Sequence, residues 1–300
     1  MAQTPLFSII IPTYNYAIEV PRAITSVLNQ SGNDWELIVI NDGSTDNTLE
    51  VLKELKKNNS FVVFDQNNSG PAATRNKGIS LSSGKYLIFL DADDEMCENA
   101  LQYFREAISK HPDIGVFIGG HDSIYPSGKT KQHLPKLKVS TNVDILKAYL
   151  IDKSLAISNG PTAMHRDVFS NYLYPEQFRC TEDIPVFTHV LANFKVAIIP
   201  ESLARIHKHD DSLRHNTQLA QEIGLSLVDE IFSKDRIPKE CQKLKSEYSS
   251  LRSLSLFRTF FLAKDYNNAR VHYENAIKAS PVSLFKLSYL RKYLKTYFKQ

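Results

Sequence analysis

Apolar residues in the first hundred positions form short, predominantly apolar runs that alternate with helically spaced segments. Phe7–Ile11 is a β-rich run closed by the turn-forming Pro12-Thr13-Tyr14-Asn15. Ile18 to Gln30 carries apolar positions at helical spacing (Ile18, Ala23, Ile24, Val27, Leu28). Trp35–Ile40 is a second run, stopped by Asn41-Asp42-Gly43-Ser44, and Asp46-Asn47 can cap a helix over Thr48 to Lys57. Phe61–Phe64 predicts a third strand, Ala72 to Leu81 a helix, and Tyr86–Leu90 a fourth strand ending in Asp91-Ala92-Asp93-Asp94. Strands without polar alternation, separated by helices, indicate a parallel sheet covered on both faces. Such sheets bind ligands beyond the carboxyl ends of their strands, where these Asp, Asn, Thr and Gly clusters fall.

Farther along, the pattern predicts a helix from Glu98 to about Lys110 and a strand at Ile114–Gly119. Asp122 to Leu137, polar and punctuated by Gly and Pro, reads as a hairpin or loop. Helices are expected over Asp144–Ile151, at Val168–Phe169 and over Ile184–Asn193, with a strand at Val196–Ile199. From Thr217 the spacing is helical only, so a boundary is expected at 212–220. Leu262 to Pro281 resembles one tetratricopeptide unit and is read as a helical hairpin, because one unit cannot bury its own face.

The composition, 42% hydrophobic and 23% charged over 300 residues, excludes a disordered or collagen-like chain. Cys97, Cys180 and Cys241 lie far apart, giving neither a disulfide framework nor zinc-ligand spacing, which suits a reducing compartment. No apolar run is long enough to cross a bilayer, and the first apolar run reads as a strand and not a signal peptide. A cytoplasmic protein is expected. The net charge of +3 conceals an asymmetry: residues 242–300 hold 12 Lys and Arg against 3 Asp and Glu, whereas the rest holds 24 against 30. Leu287, Leu290, Leu294 and Tyr297 follow 3, 4, 3 spacing in this basic tail. The tail is either a peripheral contact for an anionic membrane or a helix whose apolar stripe packs on the protein. Nucleic acid is not expected as a partner, because the body is acidic and no recognition module is present.

Three carboxylates at one strand end repel one another unless a cation neutralises them, and hard oxygen ligands suit Mg²⁺ or Mn²⁺. The other reading is an acidic helix N-terminus, where Asp93, Asp94 and Glu95 favour the dipole. At adjoining strand ends, Tyr14 can stack on a base, Asp42 can accept an imide N–H and Arg75 can reach a diphosphate. Each has a plainer reading as a turn aromatic, an Asx turn and a helix surface charge. Together they describe a pocket for a nucleotide diphosphate and a divalent ion. No Walker A or GxGxxG pattern occurs.

Ser8-Ile9-Ile10-Ile11-Pro12-Thr13-Tyr14-Asn15, the Val39–Thr48 segment, Asn68-Ser69-Gly70-Pro71-Ala72-Ala73-Thr74-Arg75-Asn76-Lys77-Gly78 and the Gly84–Asp94 segment resemble, in order, the motifs of family 2 glycosyltransferases. The likeness covers roughly residues 5–210. It implies a GT-A fold, α/β with a Rossmann-like, mostly parallel sheet flanked by helices, here followed by a C-terminal helical extension. The domains would then be 1–215, with a nucleotide-sugar half at about 1–98 and an acceptor half at 99–215, and a helical region at 216–300. The resemblance also implies a nucleotide-sugar donor and inversion at the anomeric carbon. Its donor-binding set is Pro12, Tyr14, Asp42, Arg75, Asp91, Ala92 and Asp93, with Asp93 on the metal. Thr181-Glu182-Asp183 resembles the family's Glu-Asp pair, which makes Asp183 the catalytic base; read alone it is a helix cap. Arg205-Ile206-His207, followed by Ser212, resembles the family's Arg-x-His segment, so His207 is expected at the metal or diphosphate, with His209 and His215 as competing histidines.

The expectation is therefore an inverting, Mn²⁺- or Mg²⁺-dependent transferase of hexose or N-acetylhexosamine. Its donor would be a UDP-sugar and its acceptor a glycan or lipid-linked hydroxyl in bacterial surface polysaccharide synthesis. Transfer to a polyprenyl phosphate, or a catalytically silent nucleotide-sugar-binding scaffold, are the alternatives.

Overall fold

The computed structural model describes residues 4–136, 141–209 and 217–298. The chain forms two compact units, 1–138 with 154–210, and 139–153 with 211–300.

In the first unit β1 (Phe7–Thr13), α1 (Val20–Leu28), β2 (Trp35–Asp42), α2 (Thr48–Asn58), β3 (Val62–Gln66), α3 (Pro71–Leu81) and β4 (Tyr86–Phe89) alternate as the apolar runs predict. β5 (Glu95–Met96), α4 (Ala100–Lys110), β6 (Val116–Ile124) and β7 (Thr130–His133) follow. Among the described residues the strands make one sheet in the order β3-β2-β1-β4, continued by β8 (Thr162–His165), β6, β9 (Val196–His207) and β5, with β7 paired to β6. β1, β2, β3 and β4 are mutually parallel, whereas β8 runs antiparallel to both β4 and β6.

The register places the site. Thr13 lies opposite Asn41, and Ile10 opposite Phe89, so the turns after β1, β2 and β4 share one edge of the sheet. Val20, Ala23, Ile24 and Val27 of α1 are buried at 3, 1, 3 spacing against Phe7, Ile9, Ile11 and Val39 of one sheet face. Each such aliphatic side chain contributes about 1.5–3 kcal/mol. On the other face α3 lies so close to β1 that a Cβ at Gly78 would fall 2.3 Å from Ile10 Cγ2, which accounts for glycine there.

Two expected elements depart from the pattern, the last strand and the segment at Val168–Phe169. The last strand does not stop at Ile199 but runs through Pro200 to His207. A register shift opposite Gly120 absorbs the residue that lacks an N–H, so pairing resumes beyond it. Arg205-Ile206-His207 is thus strand, and Glu95 pairs with Arg205, which brings the segment after the acidic cluster against the end of β9. The Asp122–Leu137 segment is a hairpin as far as it is described, turning at Gly128. Val168–Phe169 falls in a short 3-10 turn, and α6 (Asp183–Asn193) is the expected helix.

In the second unit α5 (Asn142–Leu150) is capped by Thr141, whose side chain accepts from the Asp144 N–H. It packs on a 3-10 turn at Lys239–Leu244 through its apolar face, which is why 139–153 clusters with this unit. The expected boundary at 212–220 begins within 210–216, outside the described residues. After α7 (Thr217–Ile223) and α8 (Ser226–Ile231), α9 (Lys245–Leu262) and α10 (Tyr266–Ala279) pack as a hairpin around Phe257, Phe260 and Tyr273; the hairpin expected within Leu262–Pro281 is instead the single helix α10, whose partner α9 ends where that segment begins. α11 (Leu287–Phe298) packs on it through Tyr289, Leu290 and Tyr293, with Tyr293 stacked on Tyr273 at 4.3 Å. Of the anticipated stripe only Leu290 faces inward, because aromatic stacking selects the tyrosine face; Leu287, Leu294 and Tyr297 are exposed.

Candidate active site

The turns after β1 and β2 are latched together. Asn15 adopts a left-handed backbone conformation, φ 57°, which asparagine tolerates better than most residues. Its Oδ1 accepts the Thr45 N–H at 2.7 Å, and its own N–H donates to Ser44 Oγ at 2.9 Å. Asp46 accepts the Ala17 N–H and Thr48 Oγ1 accepts the Tyr16 N–H, so most polar side chains of the second motif are spent on shape. Tyr14 stays 43% exposed between them, as a base-stacking aromatic must. Pro12 lies within β1, opposite Ile40.

Asp42 is buried, and its carboxylate already accepts three donors: Gln66 Nε2 at 2.8 Å, Ser69 N–H at 2.9 Å and Gly70 N–H at 2.9 Å. It fastens the loop that leads into α3. A carboxylate offers about four acceptor positions, so one remains for a base edge. Gly43 sits at φ 67°, where a Cβ would meet the Asn68 nitrogen at 2.6 Å.

Beyond β4 the acidic residues gather. Burial and the Asp91 charge push the Asp93 carboxyl above the ordinary range, and burial with both neighbours pushes Asp94 well above it. Ala92 is buried between them. The histidines divide this region. His207 donates its N–H to Asp94 Oδ1 at 2.9 Å, and its Nε2 lies 2.8 Å from Glu95 Oε1. His209 brings its Nε2 to 3.1 Å from Asp93 Oδ2. Glu95 also faces Arg22 and Arg205. Ser212 and His215 lie outside the described residues. Among the described residues no three His, Cys, Asp or Glu side chains alone form a metal cage. The donor set nevertheless fits a hard divalent cation completed by phosphate oxygens: crowded carboxylates, of which Asp93 faces, among the described residues, no arginine or lysine within ion-pair distance, with an imidazole beside Asp93.

Arg75 is buried. Its Nη2 donates to Asp91 Oδ1 at 2.8 Å and its Nη1 to Glu182 Oε1 at 2.6 Å, with its guanidinium 5.4 Å from the Tyr174 ring centroid. The arginine expected at a diphosphate therefore joins two carboxylates. Glu182 precedes α6, and Asp183 opens it. Cys180, three residues before Asp183, holds a left-handed φ of 67°. Burial and the adjoining Glu182 charge raise the Asp183 carboxyl to about 6, against the opposing pull of Arg75. A carboxylate near this value is matched to accepting a proton at neutral pH.

Several participants escaped the sequence reading. Tyr16 feels Asp93 and Asp91, which with burial push its phenol up. Asn76 exchanges hydrogen bonds with the Tyr174 backbone, donating to its carbonyl and accepting its N–H, both at 2.9 Å. Asn76 stands inside a motif segment, Tyr16 directly follows one and Glu95 continues the acidic run after Asp94, signals available in the sequence; Tyr174 carried none. A separate cavity of about 750 Å³ lies at the amino ends of β1 and β4, lined by Pro5, Asp34, Lys85 and Arg166, and holds none of these groups.

A parallel α/β sheet with latched turns and an acidic cluster at one edge, continued by a mixed sheet, is a GT-A fold. Residues 8–173 match the profile of glycosyl transferase family 2, and the chain belongs to that family. An uncharacterized glycosyltransferase of Rickettsia bellii (strain RML369-C) is 34% identical over 208 residues, 68% of this chain and 29% of that protein. The chain thus spans under a third of that relative. The putative teichuronic acid biosynthesis glycosyltransferase TuaG of Bacillus subtilis (strain 168) is 39% identical over 100 residues, 33% of this chain and 40% of TuaG. The crystal structure of S. aureus TarS 1–349 in complex with UDP-GlcNAc shares the fold, with TM-score 0.62 at 17% identity, over 95% of this chain and 91% of that one. Among the described residues no helix is long and apolar enough to cross a membrane.

Proposed function

We propose that this protein is an inverting glycosyltransferase that moves a sugar from a UDP-sugar to a hydroxyl of a glycan or lipid-linked acceptor in surface polysaccharide synthesis. The observation that carries the reading is Asp183, a carboxyl raised to about 6 and tied through Glu182 and Arg75 to Asp91 at the end of β4. Asp183 takes the acceptor hydroxyl proton as that oxygen bonds to the anomeric carbon. The bond from that carbon to the diphosphate breaks, and its electron pair leaves with UDP. One displacement inverts configuration. Tyr14 stacks on the base and Asp42 accepts its imide N–H through its remaining acceptor position, with Pro12 and Ala92 shaping the donor side. Asp93 would hold a divalent cation, Mn²⁺ or Mg²⁺, and His209 stands nearer to it than His207, which faces Glu95. When bound, that cation supplies Lewis-acid stabilisation of the departing diphosphate. The UDP-GlcNAc complex of TarS and the putative teichuronic acid biosynthesis role of TuaG support the donor and pathway class.

The hydroxyl acceptor is favoured over a polyprenyl phosphate. A phosphate oxygen is already ionised at neutral pH and needs no base, and the negative Asp183 would repel it. A silent scaffold would gain nothing from a buried carboxylate held near neutrality. The C-terminal helix supports a peripheral contact with an anionic membrane on the cytoplasmic side: Leu287, Leu294, Tyr297 and Phe298 are exposed among Lys286, Arg291, Lys292 and Lys295. The test of the transferase reading is UDP release from a panel of UDP-sugars, with water taking the sugar in place of the acceptor hydroxyl, with and without Mn²⁺. Release from at least one donor is expected; none, from folded protein that binds UDP, contradicts the reading.

A further inference from the structure

Arg75 and Glu182 lie 107 residues apart in the chain, yet both are buried and their side chains meet at 2.6 Å. The second Arg75 nitrogen holds Asp91, which is 40% exposed and so remains open to a ligand. The next residue, Asn76, binds the Tyr174 backbone twice, and the Tyr174 ring covers the guanidinium. Two consecutive residues of α3 thus clamp the segment leading into α6 at one end and the end of β4 at the other. Inside the clamp, Arg75 Nε and Glu182 Oε2 are buried with no hydrogen-bond partner, so the pair is held by one contact on each carboxylate.

We infer that Arg75, through Glu182, is a positioning residue that sets the orientation and charge environment of Asp183 and couples it to the donor-side carboxylate Asp91. This rests on the reading of Asp183 as the base. A buried charge stripped of its partner is strongly unfavourable, so neither Arg75 nor Glu182 can shift without the other following. Movement at Asp91 is therefore transmitted to the first turn of α6. The charged and titratable groups that face Asp183 are Glu182 beside it, Arg75 from α3, Asp91 from the end of β4, and Tyr174 and Cys180 from the preceding segment. Arg75 favours the ionised form of Asp183, whereas Glu182 and Asp91 oppose it. The two halves of the clamp consequently push its titration in opposite directions, which a structural support alone would not do.

The test is the pH dependence of kcat, followed as UDP release from the UDP-sugar turned over fastest, in wild type and in Arg75→Met, Arg75→Lys, Glu182→Gln and Asp183→Asn. A base must be deprotonated, so activity rises with pH through its pKa. Arg75→Met should move this acidic limb up by about one pH unit, and Glu182→Gln should move it down by a similar amount. Arg75→Lys should restore much of the wild-type position. Glu182→Gln should lower kcat while the dissociation constant for UDP, measured by calorimetry with Mn²⁺, stays within about twofold. If Arg75→Met does not fold, Glu182→Gln and Arg75→Lys carry the test. Unmoved limbs in folded variants, with Asp183→Asn inactive, overturn the clamp and leave the base reading standing. Wild-type turnover in Asp183→Asn overturns both.

Discussion

Replacing Asp183 by Asn should make the protein more stable at neutral pH. The Asp183 carboxyl is raised from an ordinary 3.8 to about 6, chiefly by burial and then by Glu182. A group that binds its proton more tightly in the folded state destabilises that state once it is ionised. The cost is absent below about pH 4, grows as pH rises through about 6, and is complete above it. At about 1.4 kcal/mol for each pH unit, the interval amounts to about 3 kcal/mol. Asn keeps the shape without the charge, so a net gain of about 3 kcal/mol is expected at pH 8, against only about 0.5 kcal/mol at pH 4. For a unit of this size the gain at pH 8 is a Tm increase of about 6–12 °C. Thermal melts of both proteins at pH 4 and pH 8 measure it. Equal melting temperatures at pH 8, or a gain of the same size at pH 4, would refute a strained ionised carboxylate at this position.

Three further outcomes follow from the site and the tail. Asp42→Ala strands two backbone N–H groups and Gln66, so it should cost about 2–3 kcal/mol in a denaturant titration and weaken UDP binding; an unchanged UDP dissociation constant would leave Asp42 as a turn former alone. Asp93→Ala should abolish Mn²⁺-dependent UDP release, with chelation by EDTA reproducing the loss, and full turnover in verified metal-free enzyme would remove the cation from the reaction. Removal of residues 287–300 should reduce sedimentation with phosphatidylglycerol vesicles, more so at low salt; equal sedimentation by a folded truncated protein would assign the exposed apolar face to another role.

The parallel half of the fold was legible because its central strands are largely buried on both faces and read as apolar runs interrupted by a single polar residue at most, Ser8 in Phe7–Ile11 and Glu36 in Trp35–Ile40. β5 and β8 were not, since two and four residues give no periodicity to detect. Pro200 hid the length of β9, because its compatibility with the ladder depends on a register shift opposite Gly120. The site residues were legible as types at strand ends, but not in their partners. Arg75 reads as a free cation in the sequence; only the packing of α3 against the segment before α6 brings Glu182 to it. His207 and His209 differ by two positions, and their division between Glu95 and Asp93 follows from the pairing of β5 with β9. The tail showed one apolar stripe, Leu287, Leu290, Leu294 and Tyr297, but the tyrosine stack with Tyr273 turns the Tyr289, Leu290 and Tyr293 side inward instead.

The central claim is that Asp183 acts on the proton and not on the donor. The most direct measurement pairs two quantities for wild type and Asp183→Asn at pH 8: kcat for UDP release from the active UDP-sugar, and the UDP dissociation constant in Mn²⁺. The account predicts a kcat lower by about 10²–10⁴-fold, the worth of a positioned general base, with the dissociation constant unchanged within about twofold. A variant that turns over like wild type, or one whose UDP affinity falls in parallel with its kcat, would contradict it.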